Sequence, residues 1–245
     1  MPQLHLASIR MKKLITVIAL AVLFGACSKD KNTMILEGNI EGLKLGTLYF
    51  QRMNDSTVVN IDTLNLDGTG KFKFEIPLEE PEVFFLHLDK KDENPFNDQL
   101  MVFGEPGTIN VASTRQYFTV NAKITGSKNQ EIYDEYIKTK SKFNRKNLDW
   151  LETKLKGAKK LSQQKIDSFD VLIDNNTKRS YLYSINFCIN HKDAEVAPYI
   201  ALTDLNNTGV KFLDTINNSL TDKVAASKYG KLLDKFIKDI KKAEQ

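Results

Sequence analysis

The sequence predicts a segregated α+β fold, with an N-terminal antiparallel β-sandwich or barrel-like domain followed by a C-terminal all-helical domain. Three observations predict it. Residues 34–126 run in short alternating apolar stretches closed by Gly, Pro and Asp turn signals. After Ser127 the apolar residues recur at helical spacing instead. The charge changes sign at the same place: residues 27–126 hold 10 basic and 15 acidic residues, and residues 127–245 hold 22 and 16. The expected division is therefore a leader at 1–26, a polar tether at 27–33, a β-domain at 34–126 and a helical domain at 127–245.

Strands are expected at residues 34–40, 46–51, 57–64, 71–76, 83–88, 100–103 and 108–111, with a last one at 117–124. Phe72, Phe74 and Ile76 alternate with Lys71, Lys73 and Glu75, so the apolar side chains share one buried face. Residues 83–88 read as a more fully buried strand. In the second half, Ser127 with Gln130 three places on matches a capping box. Ile132, Tyr133, Tyr136 and Ile137 follow at helical spacing, and Leu148, Leu151 and Leu155 continue it in a second stretch. Ser162 caps a further helix with Ile166, Phe169, Leu172 and Ile173 inward, and Tyr181, Leu182, Ile185, Cys188 and Ile189 extend its stripe. Helices at 195–205, 210–220 and 231–240 complete a set of five or six.

The start of the chain gives an address. Lys12 and Lys13 precede an apolar run at 14–24, which ends in Gly25, Ala26 and Cys27. The run is too short to cross a bilayer, which takes about 20 apolar residues. Its flanks are those of a removable signal. The pattern resembles a bacterial lipoprotein signal, with Phe24 where Leu or Val is usual and Met11 a more typical start than Met1. The resemblance implies lipidation of Cys27, attachment to a membrane and residence in the cell envelope, at the periplasmic face of the outer membrane or at the cell surface. Two or more acyl chains anchor a protein stably where one does not.

Without the leader, removal of Arg10, Lys12 and Lys13 takes the formal charge from +4 to +1. A near-neutral chain gives no case for nucleic acid as a partner. An acylated Cys27 leaves Cys188 as the one remaining thiol, so no intrachain disulfide forms and no Cys-x-x-Cys is present.

Four segments carry a second resemblance: Glu37-Gly38-Asn39-Ile40-Glu41-Gly42-Leu43, the strand at 46–50, the Asp67-Gly68-x-Gly70-x-Phe72-x-Phe74 turn and the strand at 81–86. They resemble an uncharacterised β-domain that, in Gram-negative lipoproteins, commonly precedes a thioredoxin-like thiol–disulfide oxidoreductase domain. Ile124-Thr125-Gly126-Ser127 and Ser227-Lys228-Tyr229-Gly230-Lys231 are similar to that family's helical linker. This chain ends where the oxidoreductase domain would begin, so no catalytic residue carries over. The resemblance implies an envelope partner of the thioredoxin-like kind.

No residue constellation points to a catalytic site, a cofactor or a metal. His87 reads as a partly exposed strand residue and His191 as a helix C-terminal cap. Asp89, Asp92, Glu93 and Asp98 offer calcium-type oxygens without EF-hand spacing and read as a solvated loop. Glu79, Glu80 and Glu82 read as a surface turn, and Cys188 as a small buried hydrophobe three residues from His191. Trp150, Tyr181, Tyr183 and Tyr199 read as helical core, with a ligand groove between the two domains as the alternative. The expected function is a lipid-anchored, non-enzymatic binding or interaction module. The alternative is an accessory protein acting with a separate thioredoxin-like oxidoreductase.

Overall fold

The computed structural model describes residues 32–54, 57–90, 98–157 and 160–244. Cys27, the apolar run before it, and Asp92 and Glu93 lie outside the described residues. The strands are β1 Thr33–Glu41, β2 Leu45–Asn54, β3 Thr57–Asp67, β4 Lys71–Pro77, β5 Glu82–Asp89, β6 Asp98–Gly104, β7 Gly107–Thr114 and β8 Lys123–Thr125. The helices are α1 Lys128–Gly157, α2 Gln163–Asn190, α3 Val196–Asp204, α4 Val210–Ser219, α5 Asp222–Ala225 and α6 Lys228–Ala243. The α+β class with strands first and helices second is as expected.

The strands form two four-stranded sheets, one ordered β4-β1-β7-β8 and the other β3-β2-β5-β6. Each sheet turns its apolar alternate residues inward. Met34, Leu36, Phe74, Ile109 and Val111 of the first sheet meet Leu48, Phe50, Phe84, Leu86 and Val102 of the second in one buried cluster. The Phe50 and Phe74 rings stack at 5.2 Å between centroids and tie the two layers together.

Two strand expectations need correction. β1 pairs with β7 in parallel, within an otherwise antiparallel pair of sheets. Apolar alternation fixes which face a strand buries and is blind to its direction, and strands this far apart in sequence pair either way. The strand expected at 117–124 is a turn closed by Asn121 N–H on Tyr117 O, followed by the three-residue β8. Only Phe118 of that turn is fully buried, plugging the sandwich, and its carbonyl accepts from Ser113 Oγ.

The helices cover part of the outer face of the second sheet. Val83 and Phe103 join a helical core with Tyr136, Cys188, Val196, Ile200, Leu213, Tyr229 and Leu233. α1 and α2 form a long antiparallel hairpin; at 1.5 Å per residue the 30 residues of α1 span about 45 Å. Residues 128–157 are one helix rather than two, and Leu148, Leu151 and Leu155 are exposed rather than inward. Asn147 is one bridge across the hairpin: its side-chain carbonyl accepts from Asn176 Nδ2 at 2.8 Å and its amide donates to Thr177 Oγ1 at 3.0 Å. Leu172 and Leu182 are likewise exposed on α2. No helix among the described residues is long and apolar enough to cross a membrane.

Candidate functional site

Two carboxylates from the sandwich fix the helices in place. Glu105, in the β6–β7 turn, accepts on Oε1 from Asn129 N–H at 2.6 Å, from Asn129 Nδ2 at 2.8 Å and from Ser127 Oγ at 3.1 Å. Glu80 accepts from Lys228 N–H at 2.8 Å, at the start of α6. A negative charge at a helix N-terminus satisfies free N–H groups and complements the dipole. Lys228 also pairs with Glu82. Gln130 and Tyr229 then reach back to the sheet, where Phe103 N–H donates to Gln130 Oε1 at 2.7 Å and Val83 N–H to Tyr229 Oη at 2.8 Å. Asn129 bridges further, donating to the buried Glu195 and accepting from Val196 N–H. The Ser127 cap forms as expected, with Gln130 N–H on its Oγ at 3.0 Å. The Gln130 side chain serves the sheet rather than a capping box.

This mounting leaves a corner between the helices and the open part of the second sheet. Strand register lays out its floor. Thr63, Tyr49, His87 and Gln99 form one cross-strand row, and Asn60, Gln51, Phe85 and Met101 form the next. Val83 and Phe103 in the following row are under the helices. The floor thus grades from polar to apolar as it approaches the helical wall. None of its eight residues is Asp, Glu, Lys or Arg, in a chain with 27% charged residues. The Tyr49 and His87 rings lie 5.6 Å apart. Beside them runs a chain of exposed amides, Gln99 Nε2 donating to Gln51 Oε1 at 3.4 Å and Gln51 Nε2 to Asn60 Oδ1 at 2.8 Å.

The wall is aromatic. Tyr199 packs edge-on against Phe103, Tyr133 and Tyr229, and its hydroxyl donates to Met101 Sδ at 3.5 Å. Burial raises the phenol pKa of Tyr133, Tyr199 and Tyr229 above the ordinary tyrosine value, so these hydroxyls remain protonated donors.

Behind the wall is a polar cluster with no signal in the sequence. Ser184 Oγ lies 2.8 Å from Tyr136 Oη and 3.2 Å from Lys140 Nζ, and Tyr136 donates to Asp204 at 2.7 Å. Burial pulls the Lys140 ammonium below its ordinary range, against the pull of Asp204. A serine beside a lysine is the raw material of an activated nucleophile. Here Ser184 is fully buried and its hydroxyl donates to the Ser180 carbonyl, so the cluster closes the helix seam.

The sequence-predicted residues fall in separate places. Cys27 lies outside the described residues. His87 belongs to the corner. His191 caps α2, with Nδ1 donating to Phe187 O at 2.9 Å and its ring stacked on Phe187 at 4.1 Å. Cys188 is fully buried, and burial with nearby Asp204 pushes its thiol up to about 12. Glu80 and Glu82, read as a surface turn, are helix anchors. Asp98 pairs with Lys90, and no cluster of three or more metal-type ligands occurs among the described residues. Trp150, expected in the helical core, lies on the distal hairpin under Lys146 at 5.0 Å, while Tyr181, Tyr183 and Tyr199 are partly buried against the helical core.

Comparison with known proteins places the sandwich and the start of α1 in context. A family model described as Domain of unknown function (DUF4369) matches residues 34–133. The match runs from Met34 in β1 through β8 and ends inside α1, at Tyr133 of the aromatic wall. No curated protein and no solved structure matches the chain.

Proposed function

We propose that this chain is a lipid-anchored extracytoplasmic binding module, held to an envelope membrane through acyl chains on Cys27, that engages its ligand or partner at the corner of the second sheet. We read it as non-enzymatic. One observation carries the reading: an outward face of two cross-strand rows without a formal charge, set beside a wall of tyrosines on a firmly mounted helical unit. A junction lined by aromatic and amide groups suits recognition. A second reading, an accessory role beside a separate thioredoxin-like oxidoreductase, draws support from Cys188, whose buried, protonated thiol leaves exchange chemistry to the other protein.

The test compares the natural chain with a Tyr49→Ala, Gln51→Ala, His87→Ala variant in intact envelopes. These side chains point outward from the sheet, so the thermal transition is expected to stay within a few degrees. The natural chain retains an envelope component through high-salt washing and the variant loses it. Equal retention by the two chains contradicts the reading. Palmitate incorporation that persists in Cys27→Ala contradicts the anchor.

A further inference from the structure

We infer that the corner of the second sheet binds a neutral polyhydroxylated ligand, an uncharged oligosaccharide chain, a step that rests on the proposed role of that corner as the binding surface. The face lacks formal charge. A charged ligand, whether phosphate, uronate or a basic or acidic peptide, calls for compensating charge at its site. The two rows supply no formal charge, although the sheet carries Asp89 and Asp98 just beyond them and the chain is rich in lysine.

What the face offers is a specific pairing of surfaces. Tyr49 and His87, with ring centroids 5.6 Å apart at an interplanar angle of 42°, form a shallow aromatic platform, and Phe85 extends it diagonally in the next row. A pyranose ring is amphipathic in the same way: one face is a cluster of C–H bonds, which packs on aromatic surface, and the rim is hydroxyl groups. Those hydroxyls need partners that donate and accept side by side. Planar amides supply both at fixed spacing. The ladder Gln99–Gln51–Asn60 uses one donor of Gln99, one donor and the carbonyl of Gln51, and the carbonyl of Asn60. Among the described residues it leaves the Gln99 carbonyl, both Asn60 amide hydrogens and one hydrogen each on Gln51 and Gln99 for a ligand. Adjacent strands stand about 4.8 Å apart, so the ladder, with members on β3, β2 and β6 and passing over β5, reaches across all four strands of the sheet, about 14 Å, a length that suits an oligosaccharide rather than a single sugar.

An extended peptide is a poorer occupant. Peptides join sheets through backbone hydrogen bonds at a strand edge, with side chains reaching into pockets. The platform lies across the middle strands β2 and β5, whose backbone groups are already paired on both sides over this stretch.

The test is a binding titration of the full chain in detergent against a panel of neutral oligosaccharides covering hexoses, 6-deoxyhexoses and N-acetylhexosamines, with hexagalacturonate as the anionic comparator. Expected is saturable binding of at least one neutral oligosaccharide that is insensitive to salt. Tyr49→Ala and Gln51→Ala each weaken it by about tenfold, and Lys142→Ala on the hairpin leaves it unchanged. Binding of hexagalacturonate alone, or of no neutral sugar while Tyr49→Ala still releases an envelope component, overturns the ligand class and leaves the binding face standing. Loss of neither sugar binding nor envelope retention in Tyr49→Ala overturns both.

Discussion

Asn129 is a small residue with a large structural role. Its amide donates to Glu105 and Glu195, and its carbonyl accepts from Val196 N–H. Asn129→Ala leaves the Glu195 carboxylate, 3% exposed, without that donor and a buried N–H without an acceptor. The expected loss is on the order of 2–4 kcal/mol, read as a lower urea midpoint. Nothing in the sequence signals this: Asn129 follows a cap serine, and its partners lie 24 and 66 residues away. The caps themselves were legible, since Ser127 and Ser162 bond residues three places on. Cys188 was legible as a buried thiol, and its environment yields a pH dependence. The unfolded thiol titrates near 9 and the native one near 12. Below pH 9 both states are protonated and the contribution is constant. As pH rises from 9 toward 12 the unfolded chain ionises first, so this thiol's share of stability falls by about 1.4 kcal/mol per pH unit. The raised phenols of Tyr133, Tyr136 and Tyr229 act in the same direction at higher pH, and the lowered Lys140 opposes them. Urea midpoints of the natural chain are expected to fall more steeply than those of Cys188→Ala between pH 8.5 and 10. Parallel curves contradict the assignment.

At the scale of elements, the strands were legible in their faces and illegible in their order. Alternation in β4 and β7 puts Phe72, Phe74, Ile109 and Val111 inside, as found. The same pattern fits parallel and antiparallel neighbours, so the β1–β7 pairing stayed hidden, and the register of β2, β3, β5 and β6 that builds the corner is a separate feature that alternation does not specify. The helical period was right along α1, yet Leu148 and Leu155 have no partner layer because the hairpin extends past the helical core. Two glycines have a physical reason in the close approach of their neighbours. Gly126 has φ +96°, and a Cβ there would lie 2.3 Å from Thr108 O, where the chain leaves β8 for α1. Gly230 lets α6 approach α5, since its Cβ would lie 2.1 Å from Val224 O. Gly126→Ala and Gly230→Ala are each expected to cost roughly 1–3 kcal/mol, visible in thermal melts, whereas Gly209→Ala, with open space around it, costs far less. Equal melting temperatures for the three variants contradict the packing described.

For the whole molecule, segregation of strands and helices in sequence does not mean separation in space. Val83 and Phe103 belong to the helical core, Glu80 and Glu105 cap helices, and Gln130 and Tyr229 satisfy strand N–H groups. The opposite charges of the two halves, legible in composition, meet at Lys228 and Glu82. The corner lies at the junction of strands and helices, where a ligand groove is the alternative to plain core packing in the sequence, and its uncharged floor required the register of β2, β3, β5 and β6. We propose this floor as the place where the protein meets its ligand or partner. Site-specific photo-crosslinking in living cells tests it most directly, with a photoreactive residue placed in turn at Gln51, Gln99, Asn110 on the opposite sheet and Lys142 on the hairpin. Adducts at Gln51 and Gln99, and none at Asn110 or Lys142, are the predicted result. Adducts confined to Asn110 or Lys142 contradict the account.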